Sequence, residues 1–343
     1  MIRVAINGFG RIGRSFFKLA QEAEELSIVA VNDLGDLENL AYLLKYDSAY
    51  GVSPLDIKTR DGVLVVNGRE TTFLSERDPG KLPWKQHGVD VVVEATGIFE
   101  SFEKARVHLA AGAKRVVMTA PAKDEPPEGL SGATVLMGIN DGALKTCDIS
   151  SNASCTTNAA SPLMQILHES IGIEKAVLNT VHGYTATQSL VDAPAKGSDW
   201  RRGRAAAHNI VPSTTGAAIA VTKAIPDLAG AFDGIAIRVP VLTGSIVDVT
   251  FLAKRETSAE EVNDILKKAA ADPRWRRVFT VTEEQLVSSD IVGSRFASVA
   301  DLNFTRVIGG DLVKVLAWYD NEMGYTYALL DHVLATGRYA TGS

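Results

Sequence analysis

Ile2-Arg3-Val4-Ala5-Ile6-Asn7-Gly8-Phe9-Gly10-Arg11-Ile12-Gly13 is the stretch whose reading decides the fold. Ile2 to Asn7 is strongly apolar, as a buried strand requires, and three glycines follow it within six residues. Arg14 to Glu25 then places Phe16, Phe17, Leu19 and Ala20 on one side of a helix. Leu26 to Asn32 is a second apolar strand, ending in Asp33. Strand, glycine-rich turn, helix and strand in this order make the unit that binds dinucleotides. Gly8 and Gly10 permit the tight turn and close approach of a pyrophosphate, and Gly13 permits close helix–strand packing. Asp33 stands 20 residues beyond Gly13, where a carboxylate can accept from both ribose hydroxyls. Alone, the glycine spacing would be a weak signal; set between two apolar strands it is a strong one.

Outward from this unit, further strands are expected at Gly62–Val66, Glu70–Leu74, Val89–Glu94, Val116–Thr119 and Thr134–Met137. Val89 to Glu94 is almost continuously apolar, as a parallel sheet covered on both faces demands. Its exit, Thr96-Gly97, is expected at the cofactor crevice. A helix is expected from Ser101 to Ala111. Beyond residue 170 the pattern changes. Strands at Glu174–His182, Gly234–Pro240, Ser245–Phe251 and Asp311–Tyr319 outnumber helices, which points to a mainly antiparallel sheet. An amphipathic helix capped by Ser258 runs to Ala271, and a closing helix starts at Asn321. The fold class is α/β: a Rossmann dinucleotide-binding domain followed by an α+β catalytic domain.

The bulk numbers agree. A chain of 343 residues, 46% hydrophobic and 22% charged, suits a two-domain globular protein. A net charge of −6 argues against nucleic acid as the main partner and against acidic membrane surfaces. No apolar run approaches a membrane span. Two cysteines, Cys147 and Cys155, make neither a disulfide framework nor a zinc pattern, so no metal is expected. With no secretory leader ahead of the first strand, a cytoplasmic location is expected.

Cys155 lies in Ser151-Asn152-Ala153-Ser154-Cys155-Thr156-Thr157-Asn158, between a short strand and a helix that carries Leu163, Ile166 and Leu167 on one side. Unpaired N–H groups and the dipole at a helix start favour negative charge. The thiol is therefore expected to have a depressed pKa. Pro162, about two turns in, predicts a kink. Most free cysteines are small buried hydrophobes, but this one has polar neighbours. His182, at a strand end beside Gly183, is the candidate partner: an imidazole there can hold a thiolate and act as base and acid. His87, His108, His168, His208 and His332 read as surface or satisfied core histidines. Arg202 in an arginine cluster, Thr215-Gly216 at a helix start and Arg238 at a strand end are residue types that grip phosphate.

Over essentially its whole length the chain resembles phosphorylating glyceraldehyde-3-phosphate dehydrogenases. The carriers are Ile6 to Arg14, Ala153-Ser154-Cys155-Thr156-Thr157-Asn158, His182-Gly183-Tyr184-Thr185, Arg238-Val239-Pro240 and Asn321-Glu322-Met323-Gly324-Tyr325. The resemblance implies a reversible oxidation of glyceraldehyde 3-phosphate to 1,3-bisphosphoglycerate through a thioester on Cys155, with His182 as activating partner. Ser154, Thr156, Thr215 and Gly216 match the site for inorganic phosphate; Thr185, Arg238 and Arg202 match contacts to substrate phosphate. Gly8, Gly10, Arg11, Ile12, Gly13, Asp33, Arg77, Thr96, Thr119 and Asn321 match cofactor positions. It implies a homotetramer, and domains at 1–154 and 155–320 with a helix from 321–343 returning to the first. A sister enzyme acting on erythrose 4-phosphate is the alternative. Ala159 departs from the pattern, where many members carry a second cysteine, and the 192–201 segment is about two residues longer. Asp33, with no cation at Leu34 or Asp36, favours NAD, as does Pro194; the small Gly35 and Ala193 leave room for NADP.

Overall fold

A run of side chains with almost no exposure, Val4, Ala5 and Ile6 in one strand and Val91, Val92 and Val93 in another, marks the middle of the first sheet. In the computed structural model, which describes residues 1–195 and 197–342, the chain divides into two units. Lys196, in the longer 192–201 segment, lies outside the described residues. The first unit is Met1–Ala153 with the chain from Leu329 onward; the second is Ser154–Ala328.

In the first unit, besides a small hairpin of Tyr46–Asp47 and Gly51–Val52, the strands of the main sheet are β1 (Ile2–Asn7), β2 (Leu26–Asn32), β3 (Ile57–Arg60), β4 (Val63–Val66), β5 (Arg69–Leu74), β6 (Val91–Glu94), β7 (Arg115–Met118), β8 (Gly132–Thr134) and β9 (Ile149–Ser151). Among the described residues they form one nine-stranded sheet in the order β8-β9-β7-β6-β1-β2-β5-β4-β3. Every pair from β8 to β5 is parallel, and β5-β4-β3 turns antiparallel at the edge. The order runs outward from β1 in both directions, so β1 and β6 flank a topological switch point. Helix α1 (Arg11–Ala20) buries Phe16 and Phe17, each such side chain contributing about 1.5–3 kcal/mol. Helix α2 (Leu37–Lys45) has no counterpart among the elements the sequence predicts; Asp36 caps it by accepting from the Asn39 N–H at 2.9 Å.

The 101–111 segment departs from a single helix. It forms two short ones, Phe102–Ala105 and Val107–Ala110, because Leu109 N–H bonds three residues back to Arg106. The strand expected at Thr134–Met137 pairs only over Gly132–Thr134.

The second unit holds β10 (Ile173–Gly183), β11 (Val211–Thr214), β12 (Phe232–Val239), β13 (Ser245–Ala253), β14 (Phe279–Thr282), β15 (Ser298–Ile308) and β16 (Leu312–Tyr319). Their order is β11-β12-β10-β13-β16-β15-β14. The sheet is mainly antiparallel, as expected, with parallel pairs at β10/β12 and β14/β15. Helices α3 (Cys155–Ile171), α4 (Ala217–Ala224) and α5 (Ala259–Ala271) pack on it. β15 escaped the sequence reading because its register slips between Asp301 and Arg306, which breaks the period-two pattern. Helix α3 continues through Pro162 to Ile171. Helix α6 (Met323–Thr341) closes the chain, and Gly337 lets it approach β1: a Cβ there would stand 2.4 Å from Ile2 Cγ2.

Candidate active site

The cofactor candidates of the first unit gather at the carboxyl ends of its parallel strands. Gly8 and Gly10 follow β1, Asp33 follows β2, Arg77 follows β5, Thr96 follows β6 and Thr119 follows β7. Gly8 has φ +97°, and a Cβ there would stand 2.6 Å from the Thr96 nitrogen. A Cβ on Gly13 would stand 2.1 Å from the Gly8 carbonyl oxygen, so no larger residue fits. Gly10, by contrast, faces open space. No side chain caps α1, which starts at Arg11-Ile12 after the N-cap Gly10. These are the features an incoming pyrophosphate needs. Asp33 accepts from the Phe9 N–H at 2.6 Å and the Gly35 N–H at 2.8 Å, which fixes its carboxylate at the mouth of the turn. Arg11 reaches Asp47 at 3.2 Å; Arg77 is exposed. The Thr96 hydroxyl and its N–H are both turned inward to Glu94.

In the second unit Cys155 is the first residue of α3. Ala153, two residues earlier, has φ +54°, a left-handed conformation that costs a non-glycine residue about 1–2 kcal/mol. Ser154 caps the helix, its hydroxyl accepting from the Thr157 N–H at 3.1 Å. The Cys155 Sγ lies 3.3 Å from His182 Nε2. The parallel register of β10 and β12 sets His182 beside Arg238, whose Nη1 is 2.7 Å from His182 Nδ1. The same Nδ1 is 2.6 Å from the Gly183 carbonyl.

Nδ1 cannot serve both neighbours with one tautomer. With its proton on Nδ1, donated to Gly183, Nε2 accepts from the thiol. With Nδ1 accepting from Arg238, Nε2–H donates to a thiolate. The ring therefore suits either state of the sulfur.

The electrostatics correct one expectation. Burial pushes the Cys155 thiol up, not down, although Arg238 and the N–H groups of the helix start pull it the other way. Burial, helped by Arg238, lowers His182 to about 3. A helix start favours negative charge, but the loss of hydration around the sulfur exceeds what Arg238 and the local hydrogen bonds return. The guanidinium favours the thiolate and disfavours the imidazolium.

The phosphate candidates divide. Arg202 donates to Ser213 Oγ at 2.8 Å and to Thr187 Oγ1 at 3.4 Å, and Thr187 bonds Thr185 at 2.9 Å. Burial lowers the Arg238 pKa, and the nearby Arg202 guanidinium adds a smaller push in the same direction. Two guanidiniums held near each other are an anion site in waiting. Thr215 Oγ1 accepts from Ala217 N–H at 3.2 Å, and Gly216 is the N-cap of α4. The Thr156 hydroxyl, however, is buried against Tyr319 Oη at 3.0 Å, and its N–H and hydroxyl also act on the Cys155 sulfur.

Sequence reasoning missed Tyr319, which joins Thr156 to Thr180 Oγ1 (2.7 Å) and stands edge-on to His182. Burial keeps its phenol protonated. It also missed Ser245, which accepts from Gly183 N–H at 3.1 Å and donates to Asn321 Oδ1 at 2.8 Å. Both residues end or begin strands beside named candidates, which was the available signal.

Comparison with known proteins agrees with this geometry. Residues 2–102 match the family model for the NAD binding domain of glyceraldehyde 3-phosphate dehydrogenase, and residues 154–321 match that for its C-terminal domain. The chain is 47% identical to a glyceraldehyde-3-phosphate dehydrogenase of Borreliella burgdorferi over 338 residues, covering 96% of this chain and 98% of the relative. It is 46% identical to one from Geobacillus stearothermophilus, covering 96% of each, and 45% identical to one from Streptomyces coelicolor, covering 98% of each. With a turn built for a pyrophosphate, a thiol facing an imidazole and both halves matched, the chain belongs to the glyceraldehyde 3-phosphate dehydrogenase family.

Proposed function

We propose that the protein oxidises D-glyceraldehyde 3-phosphate to 1,3-bisphosphoglycerate with inorganic phosphate, using NAD. The observation that carries this reading is the 3.3 Å contact of Cys155 Sγ with His182 Nε2, backed by Arg238. His182 takes the thiol proton as Sγ attacks the aldehyde carbon, then returns it to the new oxyanion, giving a hemithioacetal. The Cys155 N–H and His182 stabilise that oxyanion. Bound NAD supplies a hydride acceptor. As the hydride leaves C1, His182 removes the hydroxyl proton, and Cys155 is left as a thioester. Phosphate held by Ser154, Thr156, Thr215 and Gly216 attacks the acyl carbon, and Cys155 departs as the thiolate.

Thr185, Arg202 and Arg238 hold the substrate's own phosphate; the Arg202–Ser213–Thr187 contacts support this by fixing the guanidinium. Gly8, Gly10, Arg11, Ile12, Gly13, Asp33, Arg77, Thr96 and Thr119 bind NAD. Asn321 orients the nicotinamide amide through Nδ2, its Oδ1 being occupied by Ser245. The protein acts as a homotetramer in the cytoplasm. Exposed Leu190, Val191 and Trp200, in the segment after His182, support such a contact, and no helix of the described residues is long and apolar enough to cross a membrane.

Aldehyde oxidation measured with and without phosphate tests the proposal. Without phosphate, one equivalent of NADH per Cys155 should form and then stall. Sustained turnover in phosphate-free buffer would instead indicate a hydrolytic sister enzyme.

A further inference from the structure

Glu94, the last residue of β6, is 3% exposed and accepts four hydrogen bonds. Its Oε2 accepts from Asn7 Nδ2 at 2.6 Å and from His108 Nε2 at 2.9 Å. Its Oε1 accepts from the Thr96 N–H at 2.9 Å and from the Thr96 hydroxyl. The donors cannot be reversed. Trp84 Nε1–H donates to His108 Nδ1 at 3.1 Å, which leaves the proton on Nε2. Asn32 Nδ2 donates to Asn7 Oδ1 at 2.7 Å, which fixes the Asn7 amide with its nitrogen toward Glu94.

The two oxygens thus reach different strands. One holds Asn7, the residue before Gly8 at the end of β1; the other holds Thr96, at the exit of β6. These are the strands that flank the switch point, and here Gly8 meets the Thr96 backbone too closely for a Cβ.

We propose that Glu94, backed by His108 and Trp84, is a positioning residue for NAD: it braces β1 to β6 so that the glycine turn and Thr96 stand at a fixed spacing before the dinucleotide arrives. This rests on the reading that NAD lies along the carboxyl ends of these strands. Glu94 touches the cofactor only through the residues it holds.

Glu94→Gln keeps the size and shape of the side chain but turns one amide NH2 toward donors whichever way it sits. The effect is therefore one of hydrogen bonding. Affinities for NAD and for AMP, which occupies only the Asp33 end, are to be measured by calorimetry without substrate. Glu94→Gln should weaken NAD about tenfold or more and AMP by no more than about twofold. His108→Leu should weaken NAD by a smaller factor, and His108→Gln, whose amide can still donate to Oε2, should recover most of that loss.

Unchanged NAD affinity in folded Glu94→Gln, or equal losses for NAD and AMP, overturns the brace. Should Glu94→Gln not fold, the His108 pair decides: no difference between Leu and Gln rejects the proposal. Asp33→Ala separates the underlying reading. If it leaves NAD affinity unchanged, NAD does not lie along this edge, whatever Glu94 does.

Discussion

Two buried histidines lie in two regions of the molecule, and their difference teaches more than either alone. His332, on α6 in the first unit, and His182, at the end of β10 in the second, are 0% and 2% exposed. Both are lowered to about 3. Around His332 each ring nitrogen has one neighbour: the Asn152 amide lies 3.0 Å from Nδ1 and the Ser150 hydroxyl 2.7 Å from Nε2. Burial is the cause of its low pKa. Around His182 the partners conflict, a carbonyl and a guanidinium sharing Nδ1 while a thiol faces Nε2. Depth and a perturbed pKa therefore do not separate a structural histidine from a chemical one. The separation lies in whether each ring nitrogen has one neighbour or competing ones, and in whether a reactive group is among them.

The largest way to break the comparison is to remove the sulfur. Cys155→Ser should lower aldehyde oxidation by about 10³-fold or more while NAD affinity, read by calorimetry, stays near that of the native protein. Residual activity within tenfold of native would remove Cys155 from the chemistry.

His182→Asn should cost about 10²–10⁴ in kcat, the usual range for a positioned acid–base group. It should also slow alkylation of Cys155 by iodoacetamide. His332→Asn keeps a donor toward Asn152 and should change kcat far less. Similar kcat losses for the two substitutions would erase the distinction.

Acid stability probes what the histidines share. Folded pKa values below the ordinary 6.5 mean that the unfolded chain takes up protons that the folded chain refuses. The stability from each neutral ring is complete above about pH 6.5 and is lost as pH falls toward 3, by up to about 1.4 kcal/mol per pH unit per ring. Urea unfolding between pH 7 and 4.5 should show His332→Asn with a shallower loss than native; an unchanged slope would mean that His332 is not neutral in the fold.

Arg238→Gln sharpens the electrostatic contrast. Burial raises the Cys155 pKa and the guanidinium opposes it, so loss of Arg238 should move the alkylation profile of Cys155 to higher pH. A shift to lower pH would contradict the assigned sign. The smallest effect belongs to the cofactor edge: Asp33→Ala should shift the ratio of kcat/KM for NAD over NADP toward NADP by about tenfold. A native enzyme that already favours NADP would refute the role given to Asp33.

The nine-residue helix at Leu37–Lys45 and the β15 strand show where sequence reading stopped short, the first through a cap read only as a charge, the second through a slipped register. What the sequence determined by itself was local. Three glycines between an apolar strand and a helix fix a turn, because only a residue without a Cβ survives at Gly8 and Gly13. Ser154 capping α3 and the apolar runs of the parallel strands are likewise decided by neighbours along the chain.

Only the tertiary structure decided the rest. Cys155 and His182 meet because α3 packs on the sheet that contains β10, and Arg238 joins them through a strand register that no spacing reveals. Glu94 reads in sequence as the end of a valine run; its four donors come from three separate stretches of chain. The sign of the Cys155 shift reversed for the same reason. A helix start is visible in the sequence, but lost hydration depends on every atom that folds around the sulfur, and here it exceeds the pull of Arg238 and the local hydrogen bonds.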